Sequence, residues 1–151
     1  MSRKDKWHSE YHKTPRAEYS PHEDKKPRYG TVPNEKCRPE FKAEQMDMTG
    51  PWGWSNFSGS HIQEFLKRIF EFQKLTWQEL RNTRSHLVNV SDLDPKAQKR
   101  LKELKKDDLD QLYSLRLSGP ERVWAIKDGN LLWLLWWDPH HEVCPSYKKH
   151  T

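Results

Sequence analysis

Cysteine is scarce in this chain, which has 151 residues and only two cysteines, Cys37 and Cys144. One possible pair is not the disulfide framework of a small secreted domain, so that class of protein is excluded. Long apolar runs are also missing. The longest, residues 131–137, is far too short to cross a bilayer, and no signal-peptide core follows the first residues. We therefore expect a cytoplasmic protein in a reducing compartment, with no membrane partner.

Apolar residues are few overall, at 33% of the chain against 32% charged residues. The deficit is concentrated in residues 1–48, where apolar side chains follow neither a helical nor a strand period. Prolines recur there every six residues: Pro15, Pro21, Pro27, Pro33 and Pro39. Such a segment buries too little apolar surface to offset the entropy lost on ordering. We expect a disordered tail over residues 1–48 and a single domain over residues 49–151.

Metal-ligating residues are sparse in the predicted domain. His140, His141 and Cys144 lie close in sequence, but adjacent histidines rarely both reach one ion. No second Cys/His cluster with ligand spacing accompanies them. We therefore expect neither a metal nor a cofactor.

Positive charge slightly exceeds negative charge, with 27 Lys and Arg against 22 Asp and Glu and a formal net charge of +5. This excess suits an anionic partner such as RNA or an acidic protein, although many basic proteins have no such partner. The oligomeric state does not follow from the sequence.

Helices are predicted where apolar residues recur at helical spacing. Over residues 61–73 the repeat predicts an amphipathic helix with a buried stripe of Ile62, Phe65, Leu66, Ile69, Phe70 and Gln73. Thr76 and Glu79 match a capping box, so a second, short helix should begin there.

A third helix is predicted over residues 95–106. Asp94 suits its N-cap, and Pro95 suits its first position. Ala97, Leu101 and Leu104 form its buried stripe, while lysines cover the remaining surface. Among these lysines, Lys99, Lys102 and Lys105 could contact an RNA backbone, or they could simply be a solvated face.

Strands are predicted over residues 85–90, 112–117, 122–127 and 131–137. Asp128-Gly129 is the strongest hairpin signal, and a two-residue turn there pairs Trp124 with Trp133 and Arg122 with Leu135 on one face. The last strand is apolar on both faces, so it should be covered on each side. The expected fold is α+β, with N-terminal helices packed on a mostly antiparallel sheet that ends in a three-stranded meander.

The position of Arg116 depends on the turn at Gly119-Pro120. A two-residue turn makes Arg116 face Val123, on the opposite side of the sheet from Arg122. A three-residue or bulged turn brings Arg116 and Arg122 together. Both arrangements remain open at the level of sequence.

Residues 112–141 resemble the RelE/ParE/YoeB toxin superfamily. The pattern is a strand that ends in a turn, Arg122 followed by alternating apolar residues, the Asp128-Gly129-Asn130 turn, an apolar strand, and His140-His141. The resemblance covers roughly residues 85–141 and implies a small RelE-like domain. The amino-acid sequence of residues 122–145 also resembles that of a group of bacterial and phage proteins. That group implies no activity for this chain.

What the resemblance implies is a metal-independent endoribonuclease that acts on RNA or ribosome-bound mRNA and is held by a protein antitoxin. Arg122 would bind the phosphate, and His140 and His141 would serve as acid and base. Tyr147 and Lys148 would extend the site, and Arg116 would add a phosphate contact.

Each of these roles has a structural alternative. Arg122 could form a salt bridge with Glu121, Glu142 or Asp138, and the two histidines could belong to a polar turn. Trp124, Trp133, Trp136 and Trp137 could be core residues rather than surfaces on which bases stack. The rival function is a non-catalytic binding protein of phage or mobile-element origin that holds a protein or nucleic-acid partner on the same sheet.

Overall fold

The computed structural model describes residues 35–145, and residues 1–34 and 146–151 lie outside the described part. Three α-helices and five strands occur in this part, together with two short 3-10 turns. In chain order they are β1 (Glu40–Lys42), α1 (Gly59–Phe72), α2 (Trp77–Asn82), β2 (His86–Asn89), α3 (Pro95–Glu103), β3 (Gln111–Ser118), β4 (Glu121–Asp128) and β5 (Leu131–Asp138).

The strands form one sheet in the order β1-β5-β4-β3-β2. All neighbouring pairs are antiparallel except β1, which runs parallel to β5. The α+β class and the closing meander of β3, β4 and β5 are thereby confirmed.

Both faces of this sheet are covered. One face packs against α3 and the segment around Val143, and it carries Trp124 and Trp136. The other face packs against α1 and α2, and it carries Val123 and Trp137. Trp124 and Trp136 have no exposed surface, so these two rings pack the core and cannot stack on bases.

The predicted tail boundary at residue 48 is too late. Glu40 pairs with Leu131 in the sheet, and the backbone amide of Glu40 donates to the carbonyl of Asn130 over 2.9 Å. Short non-local strands of this kind carry no sequence period, so their pairing depends on the partner strand. Residues 35–48 belong to the described fold, and the rest of the predicted tail lies outside the described residues.

The segment after β1 continues along the same outer edge of β5. The amide of Asp47 donates to the carbonyl of Leu135 over 2.9 Å, and the amide of Trp137 donates to the carbonyl of Trp52 over 3.0 Å. The indole Nε1 of Trp54 also donates to Leu135 O over 3.1 Å. Residues 40–54 therefore cover the edge of β5, and we call them the edge segment.

Asp47 joins the edge segment to α3. Its buried carboxylate accepts from Arg100 Nε and Nη2, each over 2.8 Å, and from Trp136 Nε1 over 2.9 Å. The amide of Gly50 donates to the same carboxylate over 3.2 Å. A β-carbon at Gly50 would collide with Arg100 and Asp47, so this packed network needs glycine at that position.

The helix α1 differs from expectation in what it buries. Ile69 and Phe72 are buried, but Ile62, Leu66 and Phe70 are 48%, 41% and 56% exposed. The repeat correctly identifies a broad apolar side of the helix. The sheet, however, covers only half of that side. The prediction that the whole stripe is core is wrong.

Local end signals of the helices behave as expected. Thr76 and Glu79 form the capping box, and the Asp94 carboxylate accepts from the amide of Lys96 over 2.9 Å. However, α3 ends at Glu103 rather than residue 106. Lys105 has a φ of 58°, and the amide of Lys106 donates to Leu101 O over 2.8 Å, which is a Schellman ending.

The hairpin between β4 and β5 turns one residue later than predicted. Asp128 pairs with Leu131, so Gly129 and Asn130 are the central turn residues, and Gly129 takes a φ of 60°. A register shift beyond Ala125 then pairs Trp124 with Trp136. The predicted pairs of Trp124 with Trp133 and Arg122 with Leu135 are therefore wrong.

The hairpin between β3 and β4 follows the bulged alternative. Ser118 pairs with Glu121 around Gly119-Pro120, and the register shifts between Arg116 and Ser118. Arg116 consequently pairs with Arg122. The bulge brings the two guanidinium side chains to one side of the sheet.

Candidate functional site

A cleft of about 720 Å³ opens where the turn between β3 and β4, the end of β5 and the start of α3 meet. Its lining combines an apolar wall with charged and imidazole side chains: Pro51, Trp52, Asp94, Lys96, Gly119, Pro120, Arg122, His140, His141, Glu142 and Pro145. The structure thus brings Arg122 together with His140 and His141, which follow it by 18 and 19 residues in the sequence.

Arg122 lies at the start of β4 and is only 9% exposed. Its Nη1 donates to Gly119 O over 2.6 Å and to Glu121 O over 3.0 Å, so the turn itself orients the guanidinium. Burial lowers its pKa, the neighbouring Arg116 lowers it further, and Asp138 opposes both. Arg122 lines the cleft and favours an anion there, whereas Arg116 pairs with Arg122 in the sheet and does not itself line the cleft.

No salt bridge joins Arg122 to a carboxylate within residues 35–145. The Glu121 carboxylate instead accepts from Trp137 Nε1 over 2.7 Å. The Asp138 carboxylate is occupied by other donors. Within this part of the chain, Arg122 therefore does not form the salt bridge that was the alternative to phosphate binding.

Asp138 organises the turn that carries the two histidines. It is completely buried, and it accepts from the amides of Glu142 and Val143 over 2.8 and 3.0 Å and from Trp124 Nε1 over 3.2 Å. Burial raises the pKa of Asp138, and these hydrogen bonds oppose the rise. The sequence indicated a polar turn after Asp138-Pro139 and offered Asp138 as a salt-bridge partner of Arg122, but it did not assign the carboxylate to the amides of that turn.

His141 is held in an unusual conformation by this turn. Its φ is 58°, which costs free energy for a residue with a β-carbon. Its Nδ1 is buried without a hydrogen-bond partner in the described part of the chain. Burial and Arg122 lower the pKa of His141, against the attraction of Asp138, so the imidazole is neutral near pH 7 and can accept a proton.

The other residues predicted for the site do not all line the cleft. His140 lines the cleft with an exposed side chain, whereas Lys99, Lys102 and Lys105 are exposed but do not line it. Lys96, at the start of α3, does line it and was not singled out by sequence reasoning. Tyr147 and Lys148 lie outside the described residues.

Cys144 is buried, and its thiol contacts Asp92 O over 3.4 Å. Across residues 35–145 no group of three His, Cys, Asp or Glu side chains is placed to hold a metal ion. No helix in this range has the length and apolar character needed to cross a membrane.

No family model, curated protein or solved structure matches the chain. The grounds for a function are therefore the cleft itself and the resemblance of residues 85–141 to RelE-like toxins.

Proposed function

We propose that the chain is a metal-independent ribonuclease of the RelE-like kind, with RNA or ribosome-bound mRNA as its substrate. The observation that carries this proposal is the meeting of Arg122 and His141 in one cleft. An oriented cation beside a neutral imidazole is what phosphodiester cleavage by a ribose 2′-hydroxyl requires. A protein antitoxin as partner belongs to the same proposal.

In the proposed reaction, His141 accepts the proton of the 2′-hydroxyl. The 2′-oxygen then forms a bond to phosphorus while the bond from phosphorus to the 5′-oxygen breaks. Arg122, with Arg116 beside it, stabilises the negative charge that grows on the phosphoryl oxygens. We assign the return of a proton to the leaving 5′-oxygen to His140, which lines the same cleft, and Tyr147 is the other candidate. The products are a 2′,3′-cyclic phosphate and a 5′-hydroxyl.

The direct test is cleavage by the purified full chain of free mRNA in the presence of EDTA, and of ribosome-bound mRNA in the Mg²⁺ that keeps ribosomes intact. We expect cyclic-phosphate products, and no cleavage at a site whose 2′-hydroxyl is replaced by hydrogen. Cleavage of that 2′-deoxy site, or a requirement for added metal, would contradict the mechanism.

His141 and His140 should affect the pH dependence differently. Because the pKa of His141 lies below its ordinary value of 6.5, kcat/KM should rise with pH through a midpoint below 6.5 as the imidazole loses its proton. His141→Asn should remove that limb and lower the rate by about 100-fold. His140→Asn is the matched variant, and it should keep the acidic limb. An unchanged acidic limb in His141→Asn would exclude His141 as the base.

The rival function is a binding protein without catalysis. Since helices and loops cover both sheet faces in residues 35–145, such a partner would bind in the cleft rather than on the sheet. The same cleft would then hold RNA through Arg122 and Lys96 without cutting it. Binding of RNA with no cleavage on or off the ribosome, under the conditions above, would favour this rival.

A further inference from the structure

Besides the cleft, the structure has an exposed apolar surface on α1. Ile62, Leu66 and Phe70 are spaced four residues apart, so their side chains lie one above the next along a single helix face. All three are 41% to 56% exposed. We call this the α1 stripe. Large apolar side chains that line up in this way differ from the scattered exposed residues of an ordinary surface.

The exposure of the α1 stripe is not caused by a loosely attached helix. Arg68 Nε donates to Leu117 O on β3 over 2.8 Å, and the guanidinium lies 4.7 Å from the Phe72 ring centre. At the other end, the His61 ring lies 5.2 Å from the ring of Trp137 on β5. Both ends of α1 are held on the sheet, so the stripe is displayed in a fixed position.

The outer rim of the α1 stripe is basic. Lys67 follows Leu66 and precedes Phe70 by one turn, and Lys74 follows Phe70 by four residues, just beyond the helix end. Both lysines are exposed, and neither forms a salt bridge with a residue in the range 35–145. The nearby Glu71 is already paired with Arg68 over 3.0 Å.

This rim argues against a second copy of the chain as the occupant. Two copies that pack their stripes with antiparallel helices across a two-fold axis place Lys67 beside the same lysine of the other copy. Like charges so placed repel. A helix that carries Asp or Glu beside its own apolar residues instead matches both the stripe and its rim.

We propose that the α1 stripe docks an amphipathic helix of a partner protein that presents acidic residues next to its apolar face. Apolar side chains spaced four residues apart are the usual anchors of such helix pairs. The surface lies on the opposite sheet face from the cleft, because Ile69 and Phe72 pack with Val123 while Trp124 packs on the other side. Docking is therefore independent of RNA cleavage.

The test uses the full chain and two labelled peptides of about 20 residues, long enough to form a helix. Both peptides carry the same leucine stripe, flanked by Glu in one and by Lys in the other. Fluorescence anisotropy should show the acidic peptide binding at least about tenfold more tightly than the basic one, with this preference weakened by salt.

Variants locate the binding surface. Leu66→Ser and Lys67→Glu should each weaken binding of the acidic peptide by about tenfold, and Lys67→Glu should also reduce the preference for it. Glu64→Ser, on the same helix but away from the stripe, is the matched control and should change binding less than about twofold. Because all three side chains are exposed, unchanged thermal unfolding should confirm that each variant is folded.

Three outcomes would overturn the proposal. The first is equal affinity for the two peptides, or equal binding by Leu66→Ser. The second is a concentration-dependent dimer that Leu66→Ser abolishes in sedimentation, which would make a second copy the occupant. The third is a photo-crosslinker at position 66 that attaches to residues 1–34 of its own chain, which would make that segment the occupant.

Discussion

Replacing Arg122 by Gln is expected to lower single-turnover cleavage of RNA by about 100-fold or more while changing RNA affinity little. The guanidinium is oriented by Gly119 O and Glu121 O, so it meets the substrate in a prepared position. A charge so placed stabilises the transition state more than the bound substrate, and its loss therefore appears in turnover rather than in binding.

The matched comparison is Lys99→Gln, which removes an exposed cation outside the cleft. It should cost about 1 kcal/mol or less of RNA binding and reduce the salt dependence by roughly one charge, with no change in turnover. Arg122→Lys keeps the charge but loses the planar fork, so it should recover only part of the rate. In cells, induced expression of the native chain should arrest growth, and Arg122→Ala should relieve the arrest.

Arg122 is buried, so each variant needs a thermal unfolding curve beside its rate. A folded Arg122→Gln variant that cleaves RNA at the native rate would remove Arg122 from the mechanism. Normal growth on induction of the native chain, with translation intact, would favour the non-catalytic rival.

The largest effect on stability is expected at Asp47. Asp47→Ala should lower the free energy of unfolding by about 3 to 5 kcal/mol, because it leaves the buried ends of Arg100 and Trp136 without their acceptor. Chemical denaturation at neutral pH measures this difference. Glu103→Ala is the matched control, since Glu103 also pairs with Arg100 but is 50% exposed, and it should cost no more than about 0.5 kcal/mol.

The effect of Asp47 should depend on pH in one direction. Burial alone would raise its pKa, but hydrogen bonds from Arg100 and Trp136 outweigh burial and hold it below the ordinary value of 3.8. The stabilisation is therefore complete above that value and is lost as the pH falls through the folded-state pKa. The native chain and Asp47→Ala should converge in stability only once the pH is below the folded-state pKa, which itself lies under 3.8. A constant difference down to strong acid would show that the charge of Asp47 does not contribute.

Features specified by neighbouring residues could be predicted from the sequence. The capping box of Thr76 and Glu79 and the start of α3 at Pro95 depend on contacts within one helical turn. The three long strands are marked by their own composition. In contrast, β1 has three residues and lies in a polar segment, and only its pairing with β5 makes it a strand.

Strand register and the degree of burial were harder to predict from the sequence. A period shows which residues of α1 share a side, but the sheet decides how much of that side is covered, and Phe70 stays exposed. The bulges that pair Arg116 with Arg122 and Trp124 with Trp136 likewise depend on packing between strands. In the cleft, the resemblance supplied Arg122 and the histidines, whereas the hydrogen bonds of Asp138 to the turn and the place of Lys96 in the lining follow only from the folded chain.

The edge segment has a consequence for the order in which this chain can assemble. Strand β5 is the most apolar of the strands in residues 35–145, and alone it would present an open row of amides and carbonyls, the kind of surface on which chains polymerise. Its cover comes from residues about 90 positions earlier, since Glu40 meets Leu131. During synthesis the cover is made first but has nothing to bind until β5 emerges. The interval between completion of β5 and docking of residues 40–54 is thus the aggregation-prone stage of folding. It ends when Asp47 binds Arg100 and Trp136 and fixes the edge segment on β5.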